Sequence, residues 1–243
     1  MKQMALAVRL RAGAVFESFA AGANAEIIAA LRSPGADPIW LWGGRGVGKT
    51  HLLQAVCAAT AAPGGRSAAY FPLHRALGLP PEALQGFESS PVLCLDDVDA
   101  VAGDLAWESA LFGLFNAAAE LRTRVIFAAK AAPRSLEWRI GDWRSRAAAC
   151  VVYQVQGLDD AGRIEALGLR AAQRGLQLPL ETAEYLLKRM PRDLPTLFEV
   201  LDELDEASLI AQRRLTVPFI RDALERREET AASCKTTQTP ATN

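Results

Sequence analysis

The sequence predicts an α/β fold, a phosphate-loop module built on a five-stranded parallel sheet flanked by helices, followed by a small all-helical domain. Three observations carry this reading. Strand-like apolar runs alternate with helix-like ones as far as Leu158, the pattern of a parallel sheet covered on both faces. A glycine-rich stretch, Gly43-Gly44-Arg45-Gly46-Val47-Gly48-Lys49-Thr50, follows the first apolar run directly. Beyond Leu158 apolar residues recur at helical spacing with no strand-like run between them.

The elements follow in order. Pro38 to Trp42 is the first strand, the glycine-rich stretch a loop, and the apolar segment His51 to Val56 the helix that packs this loop on the sheet. Pro63-Gly64-Gly65 makes a turn before a second strand from Ser67 to Phe71. Pro91 to Leu95, Arg124 to Ala128 and Cys150 to Val155 complete five strands. Helices are then expected over Asp159 to Arg174, Glu181 to Met190, Leu194 to Ala211 and Thr216 to Arg227, with Asp159 and Thr216 suited to N-capping. The organisation expected is a flexible N-terminal segment (1–14), an α/β domain (15–157), a helical domain (158–227) and a polar, Thr-rich, disordered tail (228–243).

Composition limits the function classes. A chain of 243 residues, 50% of them apolar, can bury one sizeable core or divide into a large and a small domain. Its formal net charge of -1 gives no global attraction to nucleic acid or to an acidic membrane. Cys57, Cys94, Cys150 and Cys234 lack metal-ligand spacing and read as reduced thiols, three of them in apolar surroundings. No apolar run reaches the roughly 18 residues of a membrane span and no signal segment is evident, so a cytoplasmic protein is expected.

The loop carries the chemistry. Glycine, four residues, then Gly-Lys-Thr lets a backbone without side chains curl its N–H groups toward phosphates, with the positive end of the next helix behind them. The expected nucleotide contacts are Gly43, Gly44, Arg45, Gly46, Val47, Gly48, Lys49, Thr50 and His51, with Lys49 reaching the outer phosphates and Thr50 offering its hydroxyl to magnesium. The bound species is ATP or ADP. A second motif, Val92-Leu93-Cys94-Leu95-Asp96-Asp97, is an apolar strand ending in two acids. In a nucleotide site Asp96 would hold the magnesium ion, and Asp97 would orient or deprotonate water.

These residues, with a fourth strand and a helical lid, resemble the AAA+ nucleotide-binding module and more narrowly that of the DnaA/Hda group. Phe16-Glu17-Ser18-Phe19-Ala20-Ala21-Gly22-Ala23-Asn24 is similar to the lead-in of that module, and Gly48 to Leu53 to its phosphate loop. The resemblance is strongest to the regulatory Hda branch and runs from about Gln3 to about Leu224. It includes Ala106-Trp107-Glu108, Leu186 to Arg189, Thr196-Leu197-Phe198 and Ala211 to Phe219. The helix-turn-helix domain with which the initiator binds DNA has no counterpart in the sequence, so a partner of the initiator DnaA is implied.

The resemblance implies further roles. Gln3, Met4, Leu6 and Val8 are similar to a sliding-clamp-binding peptide, with a glutamine at a pocket rim and apolar residues filling a groove. DNA would be reached only through the clamp, no membrane is involved, and a homo-oligomer stays open. Arg146, in Asp142-Trp143-Arg144-Ser145-Arg146, stands where AAA+ proteins present an arginine finger to a neighbour's γ-phosphate. The chain departs from the family in two places: Lys130 follows the fourth strand where a polar or acidic sensor is expected. Pro195 replaces the lid arginine, although Arg192 is near. Such losses affect transition-state stabilisation more than binding. The function implied is a clamp-tethered, nucleotide-bound activator of the initiator's ATP hydrolysis that prevents re-initiation. An autonomous ATPase, such as a helicase loader, and a DNA-binding module are the other classes.

Overall fold

The computed structural model describes residues 13–61, 67–211 and 213–236, the side chains of the last helix through 227. The clamp-binding-like residues Gln3, Met4, Leu6 and Val8 lie outside the described residues. Two compact units result, one ending at Leu158 and the other beginning at Asp159.

The first unit holds five strands, β1 (Ile39–Trp42), β2 (Ala69–Pro72), β3 (Val92–Asp96), β4 (Arg124–Ala129) and β5 (Val151–Gln154). All pair in parallel in the order β2-β3-β4-β1-β5. Near-continuous apolar runs form β1, β3 and β4 because these strands are covered on both faces. Around them lie α1 (Ala25–Arg32), α2 (Lys49–Thr60), α3 (Leu105–Glu120) and α4 (Gly141–Ala148). One core cluster gathers Trp40, Phe71, Leu93, Trp107, Phe127 and Trp143. The other gathers Phe16, Leu41, Leu52, Leu53, Cys94 and Ile126. Cys57, Cys94 and Cys150 are buried free thiols, and burial pushes the Cys150 thiol up to about 12.

The second unit is helical: α5 (Asp160–Gln173), α6 (Leu180–Arg189), α7 (Leu194–Ala211) and α8 (Val217–Thr236). Leu167, Leu186, Leu197, Leu201, Leu204 and Phe219 form its core. Asp159 caps α5 by accepting a bond from Gly162 N at 2.8 Å. The expected disordered tail from Glu228 is corrected, because α8 continues to Thr236. Apolar periodicity ends near Leu224, but Arg226 to Ser233 contains no Gly or Pro and is rich in Glu, Arg and Ala, whose propensity sustains a helix. Among the described residues no helix is long and apolar enough to cross a membrane.

Candidate functional site

Parallel pairing brings the C-terminal ends of β1 and β3 to one rim, and each end leads into a chemically distinct segment. After β1 the chain turns through Gly43 (φ 157°), Gly46 (φ 79°) and Gly48 (φ 100°) into α2. A β-carbon on Gly43 would lie 2.6 Å from Val155 O, and one on Gly48 2.5 Å from Phe19 Cε2. The loop can therefore make this turn only with bare backbone at these two points. Its amides stand at the N-terminus of α2, where helix dipole and unbonded N–H groups favour an anion.

Lys49, the first residue of α2, is buried. Its Nζ donates to Gly43 O at 2.7 Å and Gly44 O at 2.8 Å, which holds the ammonium over the loop. Burial lowers its pKa, against the raising effect of Asp96, Asp97 and Asp99. Thr50 Oγ1 donates to Asp96 Oδ2 at 2.7 Å, so the two expected magnesium ligands, one from α2 and one from β3, are already side by side. A carboxylate and a hydroxyl are hard oxygen donors of the kind magnesium takes, and the residues present fit that ion.

Asp96 is itself buried. Besides Thr50 it accepts from Tyr70 Oη at 2.7 Å and from Asp97 N at 3.0 Å. Burial first, then Asp96, raises the Tyr70 pKa, so the phenol stays a donor. Asp97 adopts the left-handed conformation at φ 53°, which turns the chain sharply after the strand. His74 Nδ1 lies 2.6 Å from Asp97 Oδ2. Burial, then Asp96, raises the Asp97 pKa, while His74 and Lys130 pull against them. Tyr70 and His74 escape sequence reading, because only the pairing of β2 with β3, Pro72 opposite Asp96, brings them to the acids.

The lead-in segment buttresses the loop. His51 Nε2 lies 3.2 Å from Ser18 Oγ and 3.0 Å from Val15 O, and its ring meets Phe19 edge-on at 5.5 Å. Asn24, fully buried, exchanges two bonds with the backbone of Gln156, Nδ2 to O at 3.0 Å and N to Oδ1 at 2.7 Å. Those bonds fix the strand exit beside Gly43.

Lys130 Nζ sits 3.2 Å from Asp99 Oδ2, and its backbone N donates to Asp99 Oδ1 at 2.9 Å. Arg146 is exposed on α4. In the helical unit Arg192 pairs with Asp160 at 3.1 Å, and Pro195 occupies the first turn of α7 behind Asp193, which accepts from Thr196 N at 3.0 Å.

Two family models match the chain, "Hda, lid domain" over residues 160–224 and "Bacterial DnaA ATPase domain" over residues 11–67. Domain III of DnaA from Thermotoga maritima is similar in fold at a TM-score of 0.75 and 19% identity, covering 90% of this chain and 98% of that one. AMPPCP-bound DnaA from Aquifex aeolicus matches at 0.57 and 25% identity, over 73% of this chain and 60% of that one. The RuvB branch-migration motor of T. maritima matches at 0.62 and 14% identity, over 82% and 67%. The sheet with its helices has the fold of these AAA+ neighbours, and the helical unit by itself matches the lid model.

Proposed function

This chain is an AAA+ protein of the DnaA/Hda group, a DnaA-related replication regulator, and from that premise we propose that it stimulates ATP hydrolysis by the initiator DnaA and so prevents re-initiation. It would hold ATP or ADP on Gly43 to Thr50. Thr50 and Asp96 would supply oxygen ligands to a magnesium ion, whose chemistry there is to bridge and neutralise phosphate charge. Gln3, Met4, Leu6 and Val8 would dock on the DNA-loaded sliding clamp, raising the local concentration of a weak encounter with the initiator. Arg146 would then meet the initiator's ATP in trans, where a guanidinium neutralises charge developing on the transferring phosphoryl group, an effect of roughly 10³- to 10⁵-fold.

The observation that carries this reading is Arg146, exposed on α4. The pairing of Lys130 with Asp99 supports it, since the residue after β4 is engaged with an acid of its own chain. The test is initiator ATP hydrolysis with and without DNA-loaded clamp, comparing wild type, Arg146→Ala and Gln3→Ala. Both substitutions should reduce stimulation, and the mechanism fails if neither does.

The contacts of Thr50 with Asp96 and of His74 with Asp97 favour a second reading, turnover in the chain's own site. Steady-state hydrolysis by this protein alone separates the two. A rate on the order of 1 s⁻¹ or more, as in ordinary working enzymes, would favour the autonomous ATPase.

A further inference from the structure

Glu108, in the first turns of α3, is fully buried, and backbone amides use both of its carboxylate oxygens. Oε1 accepts from Gly103 N at 2.8 Å. Oε2 accepts from Arg139 N at 2.9 Å and from Ile140 N at 2.8 Å, and Arg139 N also reaches Oε1 at 3.2 Å. Taking an ionised group out of water is costly unless such donors offset the loss. These donors come from two places distant in sequence: the turn at Gly103 that leads into α3, and the two residues that lead into α4.

The start of α4 lacks an anchor of its own. Helices shorter than about 12 residues are marginal alone, and α4 has 8. Its N-cap residue, Ile140, is apolar and makes no side-chain cap bond. Asp142 stands in the first turn of α4, and Glu108 adds from α3 the side-chain acceptors for Arg139 N and Ile140 N that the cap residue Ile140 cannot supply. On its inner side α4 is held by Trp143, fully buried against Phe127, Trp138 and Phe115. Arg146 lies one turn further along, on the exposed side.

We propose that Glu108 is a positioning residue for Arg146, fixing the start of α4 to the turn at Gly103 that leads into α3 and thereby fixing where the guanidinium is presented. This rests on the reading of Arg146 as an arginine acting in trans. Glu108 acts through the helix start and has no chemical part in the reaction.

The test uses the full chain with the ATP-bound initiator and DNA-loaded clamp, comparing wild type, Glu108→Gln, Arg146→Ala and the double variant. Nucleotide affinity and amide hydrogen exchange are measured on the same samples. Glu108→Gln should leave nucleotide affinity within about twofold, since only the helix start is loosened, and raise exchange from Arg139 to Ala148. Maximal stimulation should fall on the order of tenfold to a hundredfold, the scale of a displacement near 1 Å of a positioned group. In the Arg146→Ala background it should remove nothing further. A purely structural role would lower nucleotide affinity and stimulation together, in both backgrounds. Should Glu108→Gln not fold, Glu108→Asp keeps the charge with a shorter reach and gives the same readouts.

Stimulation retained by Glu108→Gln while Arg146→Ala abolishes it overturns the positioning role alone. Further loss in the Arg146→Ala background overturns it too. Full stimulation by Arg146→Ala is a different result, which removes the trans-arginine reading and the role of Glu108 with it.

Discussion

Gly48→Ala tests whether the phosphate loop is shaped by the lead-in segment as well as by its own glycines. Gly48 sits at φ 100° and ψ 11°, a left-handed conformation that costs an alanine about 1–2 kcal/mol. The new methyl carbon would also lie 2.5 Å from Phe19 Cε2 and 3.3 Å from Cζ. The ring has little room to retreat, because it meets His51 edge-on. Overpacking of this kind adds about 1–3 kcal/mol, so the substitution should destabilise by roughly 2–5 kcal/mol. In a Phe19→Ala background only the backbone part remains, which leaves a coupling of about 1–3 kcal/mol between the two sites. All five tryptophans, Trp40, Trp42, Trp107, Trp138 and Trp143, lie before Leu158, so fluorescence during urea unfolding reports this unit. Nucleotide is kept out to avoid stabilisation by binding. Coupling below about 0.5 kcal/mol, the scatter expected of independent sites, would refute the contact as the cause.

Asn24→Ala should destabilise the same unit by about 2 kcal/mol, since it strands two backbone groups of Gln156, and urea midpoints at constant m-value measure it. Tyr70→Phe takes a donor from the buried Asp96 carboxylate and should cost about 1.5–3 kcal/mol by the same assay. The raised pKa of Asp97 has the opposite sign from a stabilising carboxylate. Folding binds a proton here, so its penalty is absent below the unfolded value of about 4 and grows as pH rises through the raised folded value. The stability of Asp97→Asn relative to wild type should therefore increase from about pH 4 upward, and a difference that falls with pH in urea titrations would contradict it.

How much was legible in the sequence follows from how local each signal is. The loop from Gly43 to Thr50 needs only its own spacing and the strand and helix beside it, and all three are contiguous. The strands were readable as apolar runs, but their order was not, because nothing near β1 announces that it lies between β4 and β5. Tyr70 and His74 join the site through strand register, and an isolated tyrosine or histidine after an apolar run carries no such mark. Glu108 is the sharpest case. In the sequence it stands only as part of Ala106-Trp107-Glu108, with nothing local to mark burial, yet it is fully buried, because its partners arrive from residues 139 and 140. The end of α8 lies beyond such signals for another reason: its sequence carries no amphipathic periodicity and extends the helix by propensity.

The distribution of buried polar groups connects these cases. Among the described residues of the sheet unit, the buried polar side chains other than Thr123 and Glu108, namely Asn24, Lys49, Gln54 and Asp96, brace the segments around the loop and the two acids. Gln54 bonds Tyr70, Tyr70 bonds Asp96, and Asp96 bonds Thr50, so α2, β2 and β3 are joined by one network. Each member would leave a buried partner unsatisfied if truncated, at about 1–3 kcal/mol. For these residues shape of the site and stability of the fold are the same property, and a loss of activity on substitution cannot by itself assign a chemical role. Arg146 differs in kind. It is exposed, and an exposed residue away from caps and networks changes stability by only about 0.5 kcal/mol when replaced. A large effect on a partner's hydrolysis at that position would therefore measure function with stability held still, which is why the trans-arginine reading stands or falls on that side chain and not on the loop.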